Sequence, residues 1–215
     1  MHAMLVAIAG GHGQIALHLT RMLNARGDRV RSLIRNPDHG DDVREAGGDP
    51  VVCNLEAADD QTVADAIEGA DAVVFAAGAG PGSGSERKQT MDLGGAVRVI
   101  AAAKGAGVSR YVIVSSRGAD PEAPGDDTFS VYLRAKGQAD AELAASGLDH
   151  TIVRPGALTN EPGTGRVRTD TGDGSIPRED VAAVLAAVLS EPGTIGATFE
   201  LVSGDVPIDE AVKAL

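Results

Sequence analysis

The run Gly10-Gly11-His12-Gly13-Gln14-Ile15-Ala16 constrains this chain most, because it joins an apolar stretch, Met4 to Ala9, to a segment of helical periodicity, Ile15 to Leu23. A glycine-rich turn between a strand and a helix leaves backbone N–H groups unpaired at the first helical turn, and such groups hold phosphate. Each small residue has a steric reason. Gly10 permits the tight turn out of the strand, Gly13 lets backbone approach a pyrophosphate, and Ala16 allows close packing of helix on sheet. Glycine is abundant here, 28 of 215 residues, so the string alone is weak evidence. Its placement adds the weight: it follows a β-like run, opens a helix and precedes a second β-like run, Arg29 to Ile34.

From there, β-like and helix-like segments alternate almost to the end, which predicts an α/β fold with an open, doubly wound, mostly parallel sheet and helices on both faces. Strands are expected near 4–9, 29–34, 50–53, 72–76, 110–115, 149–153 and 198–202. Helices are expected over 14–26, 38–46, 60–68, 85–106, 130–146 and 179–190. One domain spanning 1–215 accommodates all of them, with a small substrate-side region near 155–178. Two stretches interrupt the alternation, Gly78 to Ser85 and Pro155 to Pro177, and both leave carboxyl ends of strands. Ligands bind at that edge of such sheets, so each is a candidate for cofactor contact or a substrate lid, although a solvated linker has the same composition.

A formal net charge of −12 argues against general affinity for nucleic acid or an anionic membrane surface. Cys53 is the only cysteine, which excludes an intrachain disulfide and a cysteine-based metal cluster, and the five histidines lack ligand spacing, so no metal is expected. No secretory pattern opens the chain and no apolar run reaches the roughly 20 residues of a membrane span. A soluble, cytoplasmic protein is expected, as a monomer or small homo-oligomer acting on a small molecule.

Which dinucleotide is held turns on the end of the second strand, Ser32-Leu33-Ile34-Arg35-Asn36-Pro37. An acidic residue there would take ribose hydroxyls, whereas Arg35 can pair with a 2′-phosphate and stack on adenine. NADP is therefore expected over NAD, with His12 and Arg31 as assistants or as ordinary surface side chains. Asn54 and Leu55, after the third strand, are expected to border the adenine. Ala76, Ala77 and Gly78, after the fourth, let backbone pass close to the ribose.

Chemistry is expected after the fifth strand, Tyr111 to Val114, which ends in Ser115-Ser116. On the following helix Tyr132 and Lys136 stand four apart and share a face. An ammonium favours a phenolate beside it, which makes Tyr132 a usable proton donor or acceptor, and either serine can hold a substrate oxygen. A Tyr and a Lys four apart also arise by accident. The five aromatic rings, Phe75, Phe129, Phe199, Tyr111 and Tyr132, leave a core of Val, Leu, Ile and Ala. Phe129 fits either the substrate pocket or ordinary packing.

In order along the chain, Gly10 to Ala16, Val114-Ser115-Ser116, Tyr132 with Lys136, Val153-Arg154-Pro155-Gly156 and Ile176 to Ala182 with its Arg178-Glu179-Asp180-Val181-Ala182 centre resemble the short-chain dehydrogenase/reductase superfamily. The chain is most similar to its small atypical members, the NAD-dependent epimerase/dehydratase-like group. The resemblance implies a Rossmann-like fold and a nucleotide site of Gly10, Gly11, His12, Gly13, Gln14, Ile15, Arg35, Asn54, Leu55, Ala76, Ala77, Gly78, Ser115, Tyr132, Lys136, Pro155 and Gly156. It further implies Tyr132 as acid/base, Lys136 as ribose ligand and tuner of Tyr132, and Ser115 or Ser116 as orienter of the substrate. Asp92 stands where extended relatives often carry asparagine, and Asn54 where aspartate is commoner, so the proton relay and adenine contact depart from the family pattern. Sugar-nucleotide epimerases of the superfamily carry a larger C-terminal lobe than Pro155 to Leu215 provides, which sets the resemblance against a large substrate. NADPH-dependent carbonyl reduction, epimerisation or dehydration, and non-catalytic NADP sensing all remain as expectations.

Overall fold

Leu5–Ala9 is apolar at every position and almost wholly buried, as a strand covered on both faces must be. The computed structural model describes residues 3–80, 82–170 and 172–215. The first half runs β1 (Leu5–Ala9), α1 (Gln14–Ala25), β2 (Arg29–Ile34), α2 (Gly40–Glu45), β3 (Asp49–Val52), α3 (Asp60–Ile67), β4 (Ala72–Phe75), α4 (Ser85–Arg87), a π-helical segment Lys88–Gly95 and α5 (Ala96–Gly105). The second runs β5 (Arg110–Val114), α6 (Thr128–Ala145), β6 (Asp149–Pro155), β7 (Ala157–Thr159), β8 (Arg166–Arg168), β9 (Ser175–Pro177), α7 (Arg178–Ser190), β10 (Thr198–Ser203), β11 (Val206–Pro207) and α8 (Ile208–Lys213).

Among the described residues nine strands form one sheet in the order β11-β8-β10-β6-β5-β4-β1-β2-β3. Every pairing from β3 across to β10 is parallel, while β8 adds to β10 and β11 to β8 antiparallel. The protein is therefore a doubly wound, Rossmann-like α/β fold. The strand order reverses between β1 and β4, where successive crossovers leave to opposite faces and open a crevice at the carboxyl ends of the strands.

Alternation along each strand feeds two cores. Val6 and Ile8 of β1 point with Val74 and Val112 toward Leu19, Leu23, Val184 and Leu185 of α1 and α7. Ala7 and Ala9 point with Phe75, Tyr111 and Ile113 toward Val63, Val99 and Leu143 of α3, α5 and α6. Each fully buried Leu or Ile contributes on the order of 1.5–3 kcal/mol of burial free energy, so the sheet, filled from both sides, is the rigid frame of the crevice.

Three regions differ from the sequence expectation. The predicted helix 85–106 is three helical pieces in succession, with the π-helical turn between α4 and α5; such irregular turns gather at functional sites. Pro155 to Pro177 is not a plain loop but carries the end of β6 and the short strands β7, β8 and β9. Glu179 and Asp180 at the start of α7 hold it, accepting bonds from the backbone N–H groups of Gly163, Thr164 and Gly165 at 2.8–2.9 Å. Beyond β10 the chain adds β11 and α8, which the sequence reading omits. Among the described residues no helix is long and apolar enough to cross a membrane.

Candidate functional site

Gly10 leaves β1 with φ +82°, a left-handed conformation, and a Cβ there would meet the Ala77 Cα at 2.6 Å. Only glycine fits. Gly13 is the N-cap of α1 in extended conformation, with no side chain capping the first turn, so the N–H groups of that turn face the crevice. Gly11 plays a different part: its N–H donates to Leu33 O at 2.9 Å and a Cβ would strike the Ser32 Cβ at 2.4 Å, so it packs the turn against β2 and does not line the cleft.

A cleft of about 440 Å³ opens over this turn. Its floor is Gly10, His12, Gly13, Gln14 and Ile15, and one end is closed by Leu33, Ile34 and Arg35 with Cys53 and Leu55. Arg35 is exposed, with its guanidinium 3.7 Å from Glu56. Glu56 also accepts from Arg87 at 3.1 Å and from the Thr90 hydroxyl at 2.8 Å. Burial pushes its carboxyl up, but the Arg87 and Thr90 hydrogen bonds with the charges of Arg87 and Arg35 outweigh that and hold it below the usual carboxylate range. His12 lies in the cleft, bonded through Nε2 to Asp42 at 2.7 Å and stacked on His39 at 3.7 Å between ring centroids. Arg31, by contrast, reaches the carbonyls of Ala66 and Glu68 at the end of α3 and does not line the cleft. Asn54 also lies outside the lining; its side chain accepts from the Glu56 N–H and shapes the turn that presents Leu55.

A second, larger cavity of about 780 Å³ shares Ile15 and the wall Ala76 to Gly80 with the first. Tyr132, Lys136 and Ser115 all line it, with Lys88, Asp92, Phe129 and Leu158. Asp127 caps α6 by accepting from the backbone N–H groups of Phe129 and Ser130, which sets the first turn and hence the direction of Tyr132. Lys136 is buried, donates to Val114 O at 3.1 Å, and stands 6.0 Å from the Tyr132 ring centroid. Its ammonium lies 3.3 Å from Asp92 Oδ1 as a charge pair rather than a directed hydrogen bond, and Asp92 Oδ2 accepts from the Ala79 N–H at 3.2 Å. Asp92 thereby ties the shared wall to α6.

Ser115 donates its hydroxyl proton to Asp140 at 2.8 Å, and Arg154 donates to the same carboxylate oxygen at 2.9 Å. Burial pushes the Asp140 carboxyl up, and the Ser115 hydrogen bond and Arg154 offset only part of that rise. The Ser115 oxygen can accept a bond from a ligand, but its proton is committed. Ser116 turns away, with its hydroxyl on the carbonyl of Arg117, and it lines neither cavity. Pro155 and Gly156 are likewise outside both: Gly156 donates to Leu201 O, and a Cβ there would meet Gly174 O at 2.4 Å. The other tyrosine, Tyr111, is sealed in the core with its phenol pushed far up by burial.

Among the lining residues the sequence did not assign to the site are four basic ones. Arg87 and Lys88 lie in a Gly-Ser-rich approach with no motif of their own, and His39 and Arg178 come to the cleft only through tertiary folding. Asp140 carried a usable signal, standing four residues after Lys136 on the same helix.

Residues 10–192 match the NAD(P)H-binding family. A Bacillus subtilis relative named an uncharacterized sugar epimerase, YhfK, is 39% identical over 99% of this chain and 100% of its own length. Among solved structures, a Bacillus halodurans protein named as an NAD-dependent epimerase/dehydratase superposes with a TM-score of 0.92 at 41% identity, covering 99% of this chain and all of that one. The oxidoreductase ylbE of Lactococcus lactis superposes at 0.86 with 26% identity, over 99% of this chain and 96% of its own.

Proposed function

Because the chain belongs to the NAD(P)H-binding family, as an atypical member of the short-chain dehydrogenase/reductase type, we propose that it is an NADP-dependent oxidoreductase that reduces a small carbonyl compound or oxidises the matching alcohol. One observation carries this reading: the turn at Gly10 and Gly13 and the Tyr132 side chain belong to two cavities that share the wall Ala76 to Gly80. The residues fit a dinucleotide, since the first turn of α1 has no side-chain cap and added Cβ atoms would fill the turn. Gly13, Gln14 and Ile15 would hold the pyrophosphate, Leu55 would face the adenine, and Arg35 would pair with the 2′-phosphate.

The chemistry a nucleotide held there would supply is a hydride for the carbonyl carbon. Tyr132 gives the proton to the carbonyl oxygen, or takes it from the hydroxyl in the reverse direction, so that C=O and C–OH interconvert in balance. Lys136, fixed by Asp92 and Val114 O, would hold the nicotinamide ribose and favour the phenolate of Tyr132. Ser115, its own proton committed to Asp140, can position the substrate only by accepting from a donor group elsewhere on it, since a carbonyl oxygen has no proton to give.

Epimerisation or dehydration is the second reading, supported by the names of the Bacillus subtilis and Bacillus halodurans proteins. Hydride removed from the substrate would then be returned to it, with Tyr132 moving the proton and no net use of nucleotide. NADPH absorbance across a panel of aldehydes and ketones separates the two. Steady loss of absorbance with at least one carbonyl supports the oxidoreductase, and a panel that consumes none, with nucleotide bound, removes it.

Arg35 gives a narrower prediction. Replacing it by Met is expected to weaken NADPH binding about tenfold, the scale of one charge-assisted contact, and to leave NADH binding unchanged in calorimetric titration. An equal loss for both nucleotides would take Arg35 off the 2′-phosphate.

A further inference from the structure

Lys88 is the one cation in the larger cavity whose charge the protein leaves uncompensated among the described residues. It opens the π-helical segment and only 9% of it is exposed. Its ammonium donates to Gly80 O at 3.1 Å and sits 5.2 Å from the centroid of the Tyr132 ring. Among the described residues no carboxylate stands within ion-pair distance of it: Asp92, four residues on in the same segment, pairs with Lys136, and Glu56 with Arg87 and Arg35. Desolvating an ammonium without a counter-charge is costly, so a chain that does it at a cavity wall has set a charge for something that enters.

The rest of the wall says what that something is. Phe129, 64% exposed overall, lies 6.1 Å from the Tyr132 ring, and Leu158, Ile15 and Val114 line the same cavity. Ring and alkyl surface in one cavity with a lone ammonium over the Tyr132 ring match a molecule with an apolar body and one negative group. With one N–H on Gly80 and a single positive charge, Lys88 suits a carboxylate, whereas a doubly charged phosphate needs several donors. The chain carries −12 overall, so it does not gather anions by its general field, and selection must come from this contact.

We infer that the substrate is an apolar carboxylic acid, its carboxylate held by Lys88 and its hydrocarbon body against Phe129 and Leu158. This rests on the reading of the larger cavity as the substrate site.

The test uses two probes of one shape, 2-naphthoate and 2-naphthamide, titrated into the full chain with and without saturating NADP. Wild type is expected to bind the carboxylate about tenfold more tightly than the amide, the scale of one charge-assisted hydrogen bond. Lys88→Met should abolish that preference, while Lys88→Arg keeps most of it and shows that the fold tolerates change at this position. NADPH affinity should be the same in all three proteins. Equal binding of the two probes, no binding of the naphthoate, or a preference that persists in Lys88→Met overturns the inference. So does a loss of NADPH affinity in Lys88→Met, which would place the ammonium on the nucleotide. A chain that binds neither pyridine nucleotide but still prefers the naphthoate through Lys88 would sink the oxidoreductase and leave this inference standing.

Discussion

Tyr132→Phe is expected to lower turnover by about 10²–10⁴-fold, the range of a lost general acid or base, with NADPH affinity unchanged. The ring survives the substitution, so the stack on Phe129 and the Lys88 ammonium above it keep their partner and the cavity keeps its shape. Only the phenolic proton is removed. A reaction in which Tyr132 merely packed the substrate would lose little, because Phe supplies the same surface. Single-turnover absorbance at saturating NADPH makes the distinction, and a variant within twofold or so of wild type would remove Tyr132 from the chemistry, since even the weakest acid/base role is worth more.

The second large effect falls on stability. Asp140→Leu is expected to cost about 3–5 kcal/mol in urea denaturation, the scale of stripping one partner from a buried ion pair. The Asp140 side chain is 4% exposed and that of Arg154 25%, so some solvent reaches the orphaned guanidinium and places the loss toward the lower end. Ser115 loses its acceptor as well. Removing both charges with Asp140→Leu and Arg154→Leu should recover much of the loss, because no uncompensated charge is then left buried.

The same carboxyl has a pH signature. Burial raises its folded value above the unfolded one of about 3.9, so in that window the folded state binds the extra proton. Its contribution to stability is therefore fully present below the unfolded value and falls as pH rises through the folded one. Asp140→Asn, which cannot titrate, should lack that decline. A single-variant cost below about 1 kcal/mol would show that solvent, not Asp140, satisfies Arg154.

Much of the frame was legible because it follows from periodicity. Val6 and Ile8 serve one core and Ala7 and Ala9 the other, so the continuous apolar run at β1 announces a strand covered on both faces. The phosphate turn was legible for a steric reason, since Gly10 stands where any Cβ would meet Ala77. Tyr132 and Lys136 were legible as a helical spacing, and one cavity receives both. What escaped depends on contacts distant in sequence. Gly11 looks like part of the cradle, yet the approach of Ser32 determines its role. Ser116 and Ser115 are adjacent in sequence, but just past the end of β5 only Ser115 turns toward Asp140. β8 and β11 hold three and two residues and exist because β10 offers an edge to β8 and β8 in turn offers one to β11, which no local preference encodes.

Calorimetric titration of the chain with NADPH and with NADH tests the central claim most directly, that the turn from Gly10 to Ile15 holds a pyridine nucleotide with its 2′-phosphate at Arg35. Saturable heat with both, and tighter binding of NADPH, is the predicted result. No heat with either nucleotide would contradict the account at its base, and a preference for NADH would overturn the role of Arg35.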